Sequence, residues 1–260
     1  MKTQLQKKTL SSLSTGFSGL DVVTLGLKPG LLNVIAGRPG SGKTTFALTV
    51  ARNVAGAARQ VIFFSLEMPG PDLSYRLISA ESGIDGHRLS RGILYSDEWS
   101  LSIESANTLT KLPLVIDDTG GLPIDRLMER ARRIKAEKGL ALVVADYLQL
   151  IRPSRIWETR EEEIAEVSRS LKALAKELNV PVLVTSQMYR SAEEEGNSYP
   201  SFSDLHESLV IERDADIVIF LWPMDDGSNT MRLIIAKHRQ GPTGEIELLF
   251  DRKRTRFENP

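Results

Sequence analysis

The sequence predicts an α/β protein: a mostly parallel sheet flanked by helices, with antiparallel edge strands at the C-terminal end. Two observations predict it. From Leu31 onward, short apolar runs alternate with longer segments of helical period. After Trp222 that alternation stops, and apolar runs follow one another across a turn instead. The length of 260 residues, with 41% hydrophobic, 26% charged and 6% aromatic content, suits one large domain and excludes disorder and fibrous repeats. That domain is expected over residues 14–260, with residues 1–13 as a polar N-terminal arm or linker remnant.

The parallel strands are read at Leu31–Ala36, Val61–Ser65, Leu114–Asp117, Leu140–Asp146, Val182–Ser186 and Ile217–Trp222. Helices fill most of the gaps. The clearest begins at Thr159, where Thr159 and Glu162 have capping-box spacing and Ile164, Val167, Leu171, Leu174 and Leu178 form one apolar stripe. The antiparallel pair is read at Met231–Ala236 and Glu245–Asp251, joined by the turn Gln240-Gly241-Pro242-Thr243-Gly244. Three segments resist regular assignment: Arg152–Glu158, Tyr189–Ser203 and Pro223–Asn229. Each follows a strand, and ligands of open α/β sheets gather at the carboxyl ends of strands.

Lys and Arg number 33 against 34 Asp and Glu, so a polyanion must be met by a local patch rather than by a global field. The absence of cysteine excludes disulfides, zinc knuckles and thiol nucleophiles. With no apolar run of membrane-spanning length and no apolar leader, the expectation is a cytoplasmic protein without a membrane partner.

Gly37-Arg38-Pro39-Gly40-Ser41-Gly42-Lys43-Thr44 satisfies G-x-x-x-x-G-K-[ST] between an apolar strand and a helical run, the context that a phosphate-binding loop needs. Glycines let backbone N–H groups wrap a phosphate, and the helix N-terminus adds partial positive charge. Lys43 would reach the outer phosphates and Thr44 would offer a hydroxyl to Mg²⁺. Asp146, at the tip of an apolar strand, suits the second metal-facing carboxylate of such sites. Asp117 and Asp118 end another strand and compete for that role, with turn formation as their alternative. Glu67, just past Val61–Ser65, would be a surface glutamate on its own. Lys237 and Arg239 lie two apart on a strand and so share a face.

Phe63-Phe64-Ser65-Leu66-Glu67-Met68, the loop Gly37–Thr44, Asp146-Tyr147-Leu148-Gln149-Leu150, Ser186-Gln187, Asp214-Ala215-Asp216 and Ile235–Gly244 together closely resemble the ATPase domain of bacterial DnaB-type replicative DNA helicases. The resemblance runs from about Ser14 to Phe250. It implies a RecA-like P-loop NTPase fold working as a homo-hexamer, with ATP and Mg²⁺ bound between neighbouring subunits. Hydrolysis would drive movement on single-stranded DNA and unwinding of the duplex. Carried over, Gly37, Arg38, Pro39, Gly40, Ser41, Gly42, Lys43, Thr44 and Thr45 would hold ATP, and Thr44 and Asp146 the metal. Glu67 resembles the catalytic glutamate and Gln187 the sensor of the γ-phosphate. Lys237 and Arg239 resemble cationic fingers serving a neighbour's nucleotide, alongside Lys43 in stabilising charge.

Departures from the pattern are equally specific. The family usually reads S-D-L-R-E-S-G where this chain has Ser203-Asp204-Leu205-His206-Glu207-Ser208-Leu209. A neutral imidazole lacks arginine's fixed charge and fork, and Leu209 lacks glycine's access to positive φ. His206 is therefore either a weakened phosphate contact or a neutral surface residue. His206, Glu207, Leu209, Arg160 and Arg190 form the expected DNA-facing set, with Arg152 and Arg155 as further candidates. Trp157 could stack on a base, whereas Trp99 is expected in a helix interface. The basic run Arg126–Lys138 is read as a solvated helix face, and the stretch Arg252–Phe257 as a nucleic-acid contact or a solubilising terminus. The family also carries an N-terminal domain that meets primase and braces the ring; those contacts, and any with a loader, would need regions that this chain lacks. A second function class stays open: a DnaB-, RadA- or KaiC-like ATPase that switches assembly without unwinding.

Overall fold

The computed structural model describes residues 12–188, 200–202, 208–224 and 228–260, with the backbone alone at 208 and 209. The described strands are β1 (Leu32–Gly37), β2 (Val61–Ser65), β3 (Leu114–Asp117), β4 (Leu142–Asp146), β5 (Val182–Gln187), β6 (Ile217–Pro223), β7 (Thr230–His238), β8 (Gly244–Asp251) and β9 (Arg256–Glu258). The described helices are α1 (Ser18–Thr24), α2 (Lys43–Gly56), α3 (Gly70–Ser82), α4 (Gly86–Ser90), α5 (Ser96–Leu109), α6 (Ile124–Lys138), α7 (Arg160–Leu178) and α8 (Ser208–Asp214). A 3₁₀ turn, Leu148–Leu150, follows β4.

All these strands join one sheet in the order β3-β2-β4-β5-β1-β6-β7-β8-β9. The pairs from β3 to β6 are parallel, and those from β6 to β9 antiparallel. The expected fold class is the observed one. Helices cover both faces, which is why the central strands read as unbroken apolar runs. Leu32, Val34 and Ala36 of β1 point into the layer of α6 and α7, while Ile35 joins Phe46, Val50 and Leu73 on the other face.

Local signals place the helices. In α7, the Thr159 hydroxyl accepts from the Glu162 N–H and the Glu162 carboxylate accepts from the Thr159 N–H, closing the capping box. Ile164, Val167, Leu171 and Leu174 then bury one stripe against the sheet. At the start of α2, Gly42 adopts φ +94, and a Cβ there would meet the Phe250 ring at 2.9 Å. Only glycine serves at that corner.

Several sequence expectations change. Arg252–Phe257 is not a loose terminus: residues 256–258 add β9, and Phe257 is buried. Its ring stacks on Phe250 at 4.3 Å and meets Phe46 edge-on at 5.6 Å. Trp99 is 51% exposed on α5 rather than enclosed in a helix interface. Asp117 is taken by Arg130 of α6 at 2.5 Å, and Asp118 accepts from the Gly70 N–H at 2.7 Å, so both serve local structure. The basic run of α6 is otherwise the solvated face expected, with Arg126, Arg132, Arg133 and Lys138 exposed, Arg132 paired with Glu177 and Lys135 donating to the Leu140 carbonyl.

Because Phe257 closes the core beneath α2, Phe257→Ala is expected to cost about 3 kcal/mol or more of unfolding free energy. Urea denaturation measures it; a loss below roughly 1 kcal/mol would show that β9 lies outside the cooperative core.

Candidate nucleotide site

Parallel register brings the chemistry to one edge of the sheet. Gly37 lies opposite Gln187, and Ser65 opposite Asp146, so β1, β5, β4 and β2 end side by side. The loop from Gly37 to Gly42 leaves that edge and enters α2. A Cβ on Gly37 would sit 2.5 Å from Ser41 Oγ and 3.1 Å from the Leu221 carbonyl, so the loop can turn there only without a side chain. The buried Ser41 hydroxyl has no hydrogen-bond partner among the described residues.

Lys43 folds back onto this loop, with Nζ donating to the Gly37 and Arg38 carbonyls at 2.9 Å each. Burial lowers its pKa from 10.5 to about 8, although Asp146 and Glu67 favour the charged form. The Thr44 hydroxyl donates to Asp146 Oδ2 at 2.7 Å, and the Thr185 hydroxyl of β5 donates to Oδ1. Asp146 is only 1% exposed, whereas Glu67 stands exposed on the rim. The Asp146–Tyr147 peptide is cis. Burial, with Glu67 and Asp146 nearby, pushes the Tyr147 phenol above its ordinary range.

A cleft of about 350 Å³ gathers Pro39, Gly40, Gly42, Lys43, Thr44 and Thr45 with Glu67, Asp146 and Gln187. Gly37, Arg38 and Ser41 do not line it; Arg38 stacks over Trp222 at 4.1 Å. Sequence reasoning missed Arg76, Phe250, Arg252 and Thr255, which complete the walls. Arg76 Nη1 reaches Thr45 Oγ1 at 3.3 Å, and Arg252 reaches the Gly40 carbonyl at the same distance. Thr255 ties the hairpin to α3 by donating to the Arg76 carbonyl at 3.0 Å. A second cavity of about 520 Å³ shares Thr45, Arg76 and Thr255 with the cleft and runs between α2, α3 and β9. The one available signal was the apolar pair Phe250 and Phe257 flanking the basic stretch, the mark of a hairpin.

Lys237 and Arg239 lie away from this cleft. They reach the C-terminal turn of α8, Lys237 Nζ donating to the Glu212 carbonyl and Arg239 Nη2 to the Arg213 carbonyl. Cations suit the unpaired carbonyls and negative dipole end of a helix. Burial, followed by the charge of Arg239, lowers the pKa of Lys237. Behind them, buried Asp216 accepts from the Leu32 N–H at 2.8 Å and pairs with Lys172 of α7 at 2.5 Å.

Residues 12–259 match the family described as the DnaB-like helicase C terminal domain. The chain belongs to that family. The replicative DNA helicase DnaB of Geobacillus stearothermophilus is 41% identical over 258 residues, covering 96% of this chain and 57% of that protein. The replicative DNA helicase DnaC of Bacillus subtilis (strain 168) is 39% identical over 262 residues, covering 98% of this chain and 58% of that protein. The chain thus spans somewhat over half the length of these curated relatives. Among solved structures, a DnaB-like replicative helicase described with its interactions with primase superposes with a TM-score of 0.91 at 33% identity, covering 96% of this chain and 62% of that one. The ATPase domain of G40P superposes equally well, with a TM-score of 0.91 at 33% identity over 98% of this chain and 94% of that one.

In this DnaB-like domain the remaining expected residues separate. Arg160 lies at the start of α7, paired with Glu163 at 2.6 Å and donating to the Gln149 carbonyl at 2.5 Å. Arg190, His206 and Glu207 lie outside the described residues, and Leu209 falls within helical backbone of α8. The Trp157 indole N–H donates to Glu166 while Arg155 covers the ring at 3.7 Å, so the indole anchors its own loop. Ser154 also donates to Glu166, through both its backbone N–H and its hydroxyl. No helix of the described residues is long and apolar enough to cross a membrane.

The Lys43 pKa generates a pH prediction. Well below pH 8 the ammonium is already charged, so nucleotide binding moves no proton at this group there. Above it, a phosphate beside Nζ raises the pKa and binding takes up a proton, so affinity falls with rising pH by up to about tenfold per unit. Calorimetry at pH 9 in two buffers of different ionisation heat should show uptake approaching one proton, and none from this group at pH 7; equal uptake at both would place the Lys43 pKa elsewhere.

Proposed function

We propose that this chain is the motor domain of a DnaB-type replicative helicase, hydrolysing ATP to move on single-stranded DNA and unwind duplex. The carrying observation is the pairing of Thr44 with buried Asp146 at 2.7 Å beside the exposed carboxylate of Glu67. A hydroxyl and a buried carboxylate are hard oxygen donors of the kind that Mg²⁺ takes. Thr44 and Asp146 would hold Mg²⁺, which when bound supplies neutralisation of phosphate charge.

The cleft residues divide the work on ATP. Backbone N–H groups of the loop and Lys43 hold the phosphates. Glu67 orients the attacking water and accepts its proton as the new P–O bond forms at the γ-phosphorus. The bond to the bridging oxygen breaks, leaving ADP and phosphate. Gln187, at the tip of β5, senses whether the γ-phosphate is present. Lys237 and Arg239 stand off the cleft of their own chain and serve the nucleotide of a neighbouring copy in a homo-hexamer. Arg160, Arg190, His206, Glu207 and Leu209 face the DNA strand, with residues 14–260 as the working domain and residues 1–13 as an arm. The setting is cytoplasmic.

Mixing tests the shared site. Glu67→Ala and Arg239→Ala chains, each inactive alone, should regain part of the ATPase when combined, because some interfaces then carry both intact residues. No recovery at any mixing ratio would count against completion in trans. Single-stranded DNA should raise the wild-type ATPase several-fold at low salt; a flat response across DNA concentrations would favour an assembly switch over a motor.

A further inference from the structure

Gln149 has no role in the scheme above, yet its side chain is fully engaged at the edge of the cleft. The paired register of β4 and β5 ends with Ala145 opposite Val184. β5 nevertheless continues to Gln187, which still pairs with Gly37 of β1 on its other side. The peptide groups at the end of β5 that face β4 have therefore outrun their strand partner.

The Gln149 carboxamide fills that place. Its Nε2 donates to the Gln187 carbonyl at 3.3 Å and to Ser186 Oγ at 3.0 Å, while its Oε1 accepts from the Gln187 N–H at 3.3 Å. A primary amide carries a donor and an acceptor in one plane, as a peptide group does, so it reproduces one further rung of the ladder. Its own backbone is held on both sides. Leu148 next to it is fully buried, and the Gln149 carbonyl accepts from Arg160 of α7.

We infer that Gln149 is a positioning residue: it extends the sheet by one side-chain rung and thereby fixes Gln187 at the mouth of the nucleotide cleft. Aspartate or asparagine would be too short to span the gap, and glutamate would keep the acceptor but lose the donor to the Gln187 carbonyl. Because Arg160 holds Gln149 from α7, the rung also ties the sensor to the groove that Arg152, Arg155 and Arg160 line. The inference rests on the reading of Gln187 as a sensor only for its effect on hydrolysis. Its geometric content stands apart from that reading.

Two measurements separate those parts. Residue-resolved amide exchange should show the Gln187 N–H at least tenfold faster in Gln149→Ala than in the wild type, with Val184 and Thr185 unchanged. Unchanged Gln187 exchange in Gln149→Ala would overturn the rung. In the ATPase assay, Gln149→Ala and Gln149→Glu should lose at least tenfold in DNA-stimulated kcat, with KM for ATP within about twofold and Tm near the wild-type value. A raised KM and lowered Tm with kcat preserved would mean a purely structural role and overturn the positioning claim. If the wild type shows no DNA-stimulated hydrolysis, the motor reading fails while the exchange experiment still decides the rung.

Discussion

Asp146 is the constraint on which the site depends. A carboxylate with 1% exposure is costly unless its oxygens are occupied, and here one takes the Thr44 hydroxyl and the other the Thr185 hydroxyl. Those donors belong to the first turn of α2 and to β5. One buried charge thus sets the distance between the phosphate loop, the strand that carries Gln187 and the strand beside Glu67. The strand order makes this feasible, since β5 lies between β4 and β1 and so carries Thr185 beside Asp146 and Gln187 beside Gly37.

Much of this was readable from residues alone, for physical reasons. Central strands buried on both faces must be apolar throughout, so β2 and β3 fall where the runs fall, and β1, β5 and β6 within a residue at either end. The capping box at Thr159 and Glu162 is local chemistry and shows itself in the sequence. Close backbone approaches need glycine at particular positions, so the tight corners at Gly37 and Gly42 show in the motif itself. Arg76, Arg252 and Thr255 stayed hidden because nothing local says that the β8–β9 hairpin folds over α3 to wall the cleft. β9 itself is too short for its alternation to stand out, and the basic run from Arg252 to Arg256 disguised Phe257. Gln149 carries no local signal of its role, because the gap it fills exists only where β5 runs on past the paired end of β4. Trp99 shows the reverse error, an aromatic residue assumed to be covered that stands half-exposed.

Charge is used locally throughout, in keeping with a chain that is nearly neutral. Asp216 gathers the start of β1, the Lys172 ammonium of α7 and the backbone that leads into Arg239. Lys237 and Arg239 complete the C-terminal turn of α8. The two cations therefore already satisfy helix carbonyls within their own chain. Any phosphate they meet competes with that capping, which links their reach to the position of α8.

The hairpin over the phosphate loop has a consequence for the order of events during synthesis. The loop sequence emerges early, yet the ring beneath Gly42 belongs to Phe250, and the ring that supports Phe250 belongs to Phe257. A nascent chain can display every residue of the glycine-rich motif and still lack the floor on which the motif rests. Ribosome-bound intermediates should thus be blind to nucleotide until nearly the whole domain has been released, since the earliest part of the cleft waits for the latest.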